Sequence, residues 1–217
     1  MVSPTEAHSA VLLARRAIEA RLGPSPPKDP AAPFQATAMA PVFDERRGVF
    51  VTLKLHPSGH LRGCIGYPLP VHPLRLAVPR VAAAAAVDDP RFPPVSAREW
   101  PHVRLEISIL TAPELVDGTS PSDRANAILV GRDGLIVEAD GETGLLLPQV
   151  AVEEGWDAET FLSATSEKAG LDRDAWKRPD SVVYRFRAEV FAEDAPGGTV
   201  EAVALTPGRA GGSARPG

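Results

Sequence analysis

Residues 48–67 contain two β-forming segments joined by a short turn, and this pattern strongly constrains the fold. The first segment, residues 48–55, reads GVFVTLKL and alternates apolar side chains with others, as a half-buried strand does. The second, Leu61–Tyr67, follows the turn at residues 56–60, which contains both proline and glycine. The sequence therefore predicts a β-hairpin with a short loop.

The register of the two strands determines which side chains share a face of the hairpin. The expected register pairs Leu55 with Leu61. The predicted polar face then carries Thr52 opposite Cys64 and Lys54 opposite Arg62. The predicted apolar face joins the core through Val49, Val51, Leu53, Leu55, Leu61, Ile65 and Tyr67. A slip of one residue would exchange the two faces.

Helix and strand signals follow one another on both sides of the hairpin. Ser3, Pro4 and Glu6 form a capping box with proline in the first turn, and this predicts a helix that continues to Leu22. Residues 72–87 have helical character, although Pro79 requires either that the main helix begins there or that the helix is kinked.

The second half of the chain adds strands, and its end differs in composition. Residues 103–111 alternate as a half-buried strand, and residues 182–191 indicate one long strand. Hairpins mixed with helices, without a regular βαβ rhythm, predict an α+β fold with a mainly antiparallel sheet flanked by helices. We expect residues 1–193 to fold, and the Gly- and Pro-rich residues 194–217 to form a disordered tail.

Composition argues against several classes of protein. The 23 Lys and Arg against 28 Asp and Glu give a net charge of −5, which argues against nucleic-acid binding. One cysteine cannot form an internal disulfide, so nothing indicates an oxidising compartment. The sequence shows neither a secretion signal nor an apolar run that could span a bilayer. We expect a cytoplasmic protein that binds neither nucleic acid nor membrane.

The only cysteine, Cys64, stands between Gly63 and Gly66 in the string LRGCIG, two places after Arg62. A thiolate is the nucleophilic form of cysteine, and the cations Arg62 and Lys54 on the same face would favour it. The two glycines would let a backbone or a ligand approach closely. In the alternative interpretation, Cys64 packs as a small apolar residue and the glycines mark a bulge or a bend.

Other residues also have one structural and one chemical interpretation. In one interpretation the string DDPRF ends a helix and Arg91 pairs with a carboxylate; in the other, Asp89 or Arg91 lies at the rim of a cleft beside the hairpin. Glu106, on the polar face of its strand, is placed to reach the same cleft. Gln149 follows Pro148 at a predicted helix start, where it either binds an anion or substrate carbonyl or fixes local backbone.

A metal site is not expected. His56, His60 and Cys64 recur at four-residue intervals, which would suit zinc on a helix. Proline and glycine between them prevent a helix, and no fourth ligand is evident. The sequence identifies no cofactor.

The order of these motifs resembles the AMMECR domain family, and within it the bacterial and archaeal AmmeMemoRadiSam system protein A. The resemblance rests on LARRAIEARL, GVFVTL, LRGCIG, DPRFPPV, LLLPQVA and KAGL, and it extends from about residue 5 to Glu193. It implies an α+β fold with a larger and a smaller lobe around a cleft that LRGCIG faces. The family's signature positions correspond to Arg62, Gly63, Cys64, Gly66, Asp89, Arg91, Gln149 and Lys168.

The resemblance also implies partners and shows one departure. Members of the family often occur beside a Memo-like protein and a radical-SAM protein, which implies a shared pathway. Relatives commonly carry a second cysteine just before KAGL, where this chain has Ser166. A mechanism that needs two cysteines is therefore not expected, whereas one that needs only Cys64 is retained.

Two hypotheses for function follow. In the first, the protein is a cysteine-dependent enzyme or enzyme subunit that acts on an anionic small molecule. Cys64 would be the thiolate and Arg62 the anion binder, with acid–base or orienting roles for Asp89, Glu106 and Lys168. Lys54, Gly63, Gly66, Arg91 and Gln149 would contact the substrate. In the second, the protein is a non-catalytic partner module whose LRGCIG hairpin is a recognition surface.

Overall fold

The computed structural model describes residues 1–118 and 120–203. It has an α+β fold with two antiparallel sheets, which confirms the predicted fold class. The described residues divide into two compact units, and each unit contains one sheet. The first unit comprises Met1–Ala112 with Glu189–Val203, and the second comprises Pro113–Ala188.

The first unit contains the five-stranded sheet, in the order β2-β1-β3-β8-β9. Its strands are β1 (Val49–Leu55), β2 (Leu61–Tyr67), β3 (Val103–Leu110), β8 (Ala188–Glu193) and β9 (Val200–Val203). Its helices are α1 (Pro4–Leu22) and α2 (Leu74–Val87). Short 3₁₀ turns occur at Ala32–Phe34, Pro41–Asp44 and Trp100–His102.

The second unit contains the four-stranded sheet, in the order β4-β7-β5-β6. Its strands are β4 (Glu114–Leu115), β5 (Gly134–Ala139), β6 (Glu142–Leu146) and β7 (Val182–Phe186). Its helices are α3 (Pro121–Asn126), α4 (Pro148–Glu153) and α5 (Ala158–Lys168), with a 3₁₀ turn at Ala175–Lys177. No helix among residues 1–118 and 120–203 is long and apolar enough to cross a membrane.

Both helices of the first unit contribute to its apolar core. Helix α1 begins with the predicted capping box: the Ser3 hydroxyl accepts from the Glu6 N–H, and the Glu6 carboxylate accepts from the Ser3 N–H. Helix α2 runs from Leu74 through Pro79 to Val87, so of the two alternatives the one in which the main helix begins at Pro79 is wrong. Burial of Pro79 and its apolar neighbours offsets the hydrogen bond that proline removes.

The sheet of the first unit buries one face, as the alternation predicted. Val49, Val51 and Leu53 of β1 are fully buried, as are Val103, Leu105 and Ile107 of β3. The prediction is wrong at Leu61, whose side chain is 40% exposed. Leu55, Ile65 and Tyr67 are only partly buried and pack against the core from its margin.

The predicted long strand at residues 182–191 is two strands in different sheets. The chain leaves β7 after Phe186 and enters β8 at Ala188, so Arg187 separates them. A uniform apolar alternation cannot show that the strand changes its hydrogen-bonded neighbours part-way. The predicted tail is also wrong at residues 200–203, because β9 pairs with β8 there. Residues 204–217 of that tail lie outside the described residues.

Gly63 fits the backbone of β2 closely against helix α2. A Cβ atom at Gly63 would lie 2.2 Å from the carbonyl oxygen of Ala85. No side chain fits at that distance, so any larger residue must move the strand away from the helix.

We expect the Gly63→Ala variant to unfold with a free energy lower by about 1–3 kcal/mol, because the added methyl group overpacks this contact. Urea unfolding measures the change. Gly23→Ala is a matched control, since a Cβ there would meet its nearest atoms at an ordinary 3.4 Å. The control should change the free energy by less than about 0.5 kcal/mol. Equal effects in the two variants would contradict the steric explanation.

Candidate functional site

Cys64 lies on an edge strand of the first unit's sheet. Strand β2 pairs with β1 alone, and Cys64 stands opposite Thr52, as predicted. On its other side Thr52 stands opposite Glu106 of β3. Cys64, Thr52 and Glu106 therefore form one row across three strands. This row lies on the face opposite the buried apolar side chains, because side chains alternate along each strand.

A bulge in the hairpin moves Arg62 out of its expected position. The register shifts between Leu53 and Lys54, so Lys54 pairs with Leu61. The prediction that Lys54 faces Arg62 is therefore wrong. A bulge places an extra, unpaired residue in one strand and redirects its side chain.

Arg62 binds the segment that follows helix α2. Its guanidinium donates from Nε to Oε1 of Glu99 at 2.6 Å and from Nη2 to the carbonyl oxygen of Pro93 at 2.8 Å. The residue is 8% exposed, and its guanidinium lies 5.9 Å from the ring centre of Phe92. These contacts give Arg62 a positioning role, since they attach residues 93–99 to the hairpin.

Two side chains bind the backbone of Cys64 on its free edge. The Asp89 carboxylate accepts a hydrogen bond from the Cys64 N–H at 2.8 Å. The Arg91 Nη2 donates to the Cys64 carbonyl oxygen at 3.3 Å. Asp89 and Arg91 thus supply the acceptor and the donor that a neighbouring strand would otherwise provide.

Asp89 and Arg91 also bind each other. Arg91 donates to the Asp89 carboxylate from Nε at 3.0 Å and from Nη2 at 2.7 Å. The Asp89 side chain is 3% exposed, whereas that of Arg91 is 53% exposed. The predicted pairing of Arg91 with a carboxylate is confirmed, and its partner is Asp89.

The ion pair changes the acidity of both members. Hydrogen bonds from Arg91 hold the pKa of the Asp89 carboxyl well below its usual range, although burial opposes the change and the Cys64 N–H supports it. Asp89 in turn raises the pKa of Arg91. The Arg91 Nη2 also donates to the carbonyl oxygen of Cys64, so the guanidinium lies beside this residue.

The sulfur of Cys64 has a polar environment and partial access to solvent. The Thr52 hydroxyl donates to Sγ at 3.3 Å, and Cys64 is only partly buried. Cys64 is therefore not a core residue. These contacts agree better with the interpretation of Cys64 as a thiol on a polar face than with the interpretation of Cys64 as a small, packed apolar residue.

The glycines of LRGCIG accommodate protein atoms. Gly63 approaches helix α2, as described above. A Cβ atom at Gly66 would lie 2.2 Å from Cδ1 of Phe50, its cross-strand partner. The ring of Phe50 occupies the space that a side chain at position 66 would need. At both positions, the absence of a side chain therefore allows protein atoms to pack closely beside Cys64.

Lys54 and Glu106 form an ion pair on the same face as Cys64. The Lys54 Nζ lies 2.7 Å from Oε2 of Glu106, and both side chains are partly exposed. The structure thus brings Lys54, Cys64 and Glu106 onto one face, as the alternation predicted, with Asp89 and Arg91 at its edge.

Three further positions that the sequence singled out belong to the second unit. Gln149 is exposed at the second residue of α4, and Lys168 is exposed at the last residue of α5. Ser166 is fully buried, and its hydroxyl donates to the carbonyl oxygen of Leu162. This hydrogen bond gives Ser166 a structural partner inside its own helix.

Sequence reasoning did not identify Glu99 as the acidic partner of Arg62. It also did not predict the contact between the Thr52 hydroxyl and the Cys64 sulfur. Glu99 lies in a polar stretch with no periodicity, so no local signal connects it to the hairpin. Thr52 was placed on the polar face, and its position opposite Cys64 was the available signal. Among the described residues, no group of three or more His, Cys, Asp or Glu side chains could hold a metal ion.

These features define an α+β protein with a single thiol held at the edge of an antiparallel sheet. The chain belongs to the AMMECR1 family, whose model matches residues 11–191. It is 52% identical to a protein of Pyrococcus furiosus over 204 residues, which are 91% of this chain and 92% of the relative. It is 50% identical to a protein of Methanothermobacter thermautotrophicus, over 89% of this chain and 97% of the relative.

A solved structure shows the same fold. The crystal structure of the uncharacterized protein PH0010 from Pyrococcus horikoshii superposes with a TM-score of 0.72 at 46% sequence identity. The match covers 93% of this chain and 98% of the other.

We expect Asp89→Asn to lower the free energy of unfolding by about 1–3 kcal/mol at pH 7. An amide has one acceptor oxygen, so its NH₂ group must face either the Cys64 N–H or the Arg91 guanidinium. The lowered pKa of Asp89 means that its ionised form stabilises the fold above the unfolded-state pKa of about 3.9. This contribution is lost as the pH falls through the lower folded-state value.

The difference between wild type and Asp89→Asn should therefore shrink as the pH falls below about 4. Urea unfolding from neutral to acidic pH measures it. The neighbouring Asp88→Asn is the control, because Asp88 is exposed and lies at the end of α2. A difference that stays constant with pH would show that the charge of Asp89 does not stabilise the fold.

Proposed function

We propose that this protein is a cysteine-dependent enzyme or enzyme subunit that acts on an anionic small molecule. Cys64 is the nucleophile, and Arg91 takes the cationic role that the sequence assigned to Arg62. One observation carries the proposal: the Thr52 hydroxyl donates to the partly exposed Cys64 sulfur, and the Arg91 guanidinium donates to the carbonyl oxygen of the same residue. A hydroxyl donor and a guanidinium both interact more favourably with a thiolate than with a neutral thiol.

The geometry supports a positioned nucleophile. The backbone of Cys64 is held on one side by β1 and on the other by Asp89 and Arg91, so the sulfur has a fixed location. Rigid support of this kind aligns a nucleophile with its target before reaction. Arg62 supports the arrangement by holding residues 93–99 against the hairpin.

Arg91 is the best-placed group to bind the anionic part of a substrate. Its guanidinium uses Nε and Nη2 for Asp89, and about half of its side-chain surface faces solvent. In the proposed step, the thiolate forms a bond to an electrophilic carbon, and the leaving group departs with the electron pair of the broken bond. Lys54 and Glu106 lie on the same face, where they can orient a substrate or exchange a proton with it.

A second candidate function is a non-catalytic partner module. The ion pairs of Arg62 with Glu99 and of Arg91 with Asp89 pair the charges of both motifs within the protein, which is consistent with a structural role for these side chains in a surface that a partner recognises. The resemblance implies a pathway with Memo-like and radical-SAM proteins, and we propose these as partners under either function. Lys168 and Gln149 remain candidate contacts, since both are exposed.

Alkylation tests the reactive thiol and its cation together. Iodoacetate and iodoacetamide both form a sulfur–carbon bond at Cys64 and release iodide, but only iodoacetate is anionic. We expect Arg91→Gln to lower the rate with iodoacetate at least about fivefold more than the rate with iodoacetamide. The physical reason is the loss of a nearby charge, worth about 1–4 kcal/mol at 4 Å near a protein surface. Mass spectrometry of the intact protein gives both rates.

Arg98→Gln is the matched control, because Arg98 is exposed and lies outside the contacts of Cys64. It should leave both rates unchanged. If Arg91→Gln slows the two reagents equally, Arg91 does not guide anions to the sulfur. If native Cys64 reacts no faster than the same cysteine in urea, the thiol is not activated and the partner-module function is favoured.

A further inference from the structure

The first unit contains a cavity of about 280 Å³ that none of the residues around Cys64 lines. One wall is a stripe of helix α1 formed by Ser9, Leu12, Leu13 and Arg16, which share one helical face by their spacing. The other wall is the segment from Phe34 to Phe43, which connects α1 to the sheet. The cavity therefore lies between a regular helix and an irregular connection.

Most of the residues that line the cavity are apolar, and the polar ones are Ser9, Thr37 and Arg16. Phe34, Met39 and Phe43 contribute apolar surface from the connection, and Leu12 and Leu13 contribute it from the helix. Leu12 is 40% exposed although it lies on this face, so apolar surface remains uncovered at the cavity. Exposed apolar surface within a concave site is a feature of ligand sites.

Among the described residues, Arg16 is the only charged one that lines the cavity. Its side chain forms no hydrogen bond or ion pair with any of residues 1–118 and 120–203, and it is exposed. Arg15, next to it, binds the buried carboxylate of Glu193 instead. The chain carries a net charge of −5, so an unpaired cation at an apolar cavity is not explained by a general excess of basic residues.

Size and charge together define the ligand. At about 30 Å³ for each water-sized group, the cavity holds about nine non-hydrogen atoms. The apolar part of the lining suits a hydrocarbon body, and the guanidinium suits a carboxylate, which it can bind through two parallel hydrogen bonds. We propose that this cavity binds a small amphipathic carboxylate, with its apolar body inside and its carboxylate on Arg16.

Octanoate is the probe that tests this site, and octanamide is its uncharged analogue. We expect octanoate to bind wild-type protein with a Kd on the order of 0.1–1 mM and at least about fivefold more tightly than octanamide. Amide chemical shifts in ¹H–¹⁵N spectra should change in α1 and residues 34–43. Arg16→Gln should remove the preference for octanoate and leave octanamide binding unchanged.

Two further variants make the result specific. Arg21→Gln removes a charge from the same helix outside the cavity and should preserve the preference. Ala38→Trp introduces a large side chain at a lining position and should abolish binding of both probes, with folding verified by thermal unfolding. No chemical-shift change up to about 10 mM octanoate would overturn the proposal. So would equal affinity for the two probes, or equal effects of Arg16→Gln and Arg21→Gln.

Discussion

The hydrogen bond from the Cys64 N–H to the Asp89 carboxylate connects the two most distinctive motifs of this chain. An edge strand has backbone groups without a strand partner, and leaving such groups unsatisfied destabilises a buried edge. Here a side-chain ion pair, Asp89 with Arg91, binds the N–H and C=O of a single residue. This contact holds the LRGCIG and DPRF segments together, although 25 residues separate Cys64 from Asp89.

The remaining features of the site depend on this pairing of Asp89 and Arg91 with the backbone of Cys64. Because Gly63 has no side chain, helix α2 packs closely against β2. The end of this helix therefore places Asp89 at the edge of the strand. The bulge then directs Arg62 toward Glu99 and Pro93, so the segment after Asp89 is fixed at a second point. Cys64 thus receives a fixed backbone from packing and ion pairing, while its sulfur remains on the polar face.

Local sequence patterns predicted the strands better than they predicted which residues and strands pair with one another. Alternation identified β1 and β3 and the row that contains Thr52 and Cys64, because periodicity depends only on neighbouring residues. The same reasoning placed Arg62 beside Lys54, because the expected register did not include the bulge that the glycines of LRGCIG allow. It also gave one strand where the chain changes sheets at Arg187. The second error concerns which distant segment a strand meets, and this is decided by tertiary packing.

Charge balance around Cys64 limits how the proposed site can select an anion. Among the described residues, Lys54, Arg62 and Arg91 form a group of cations near Cys64, and each has a carboxylate partner: Glu106, Glu99 and Asp89 respectively. The group therefore has little net charge, and long-range attraction of an anion is weak. Selection must come from directed N–H donors at short range. Arg91 meets that requirement better than Arg62, because its side chain is about half exposed while that of Arg62 is buried against its partners.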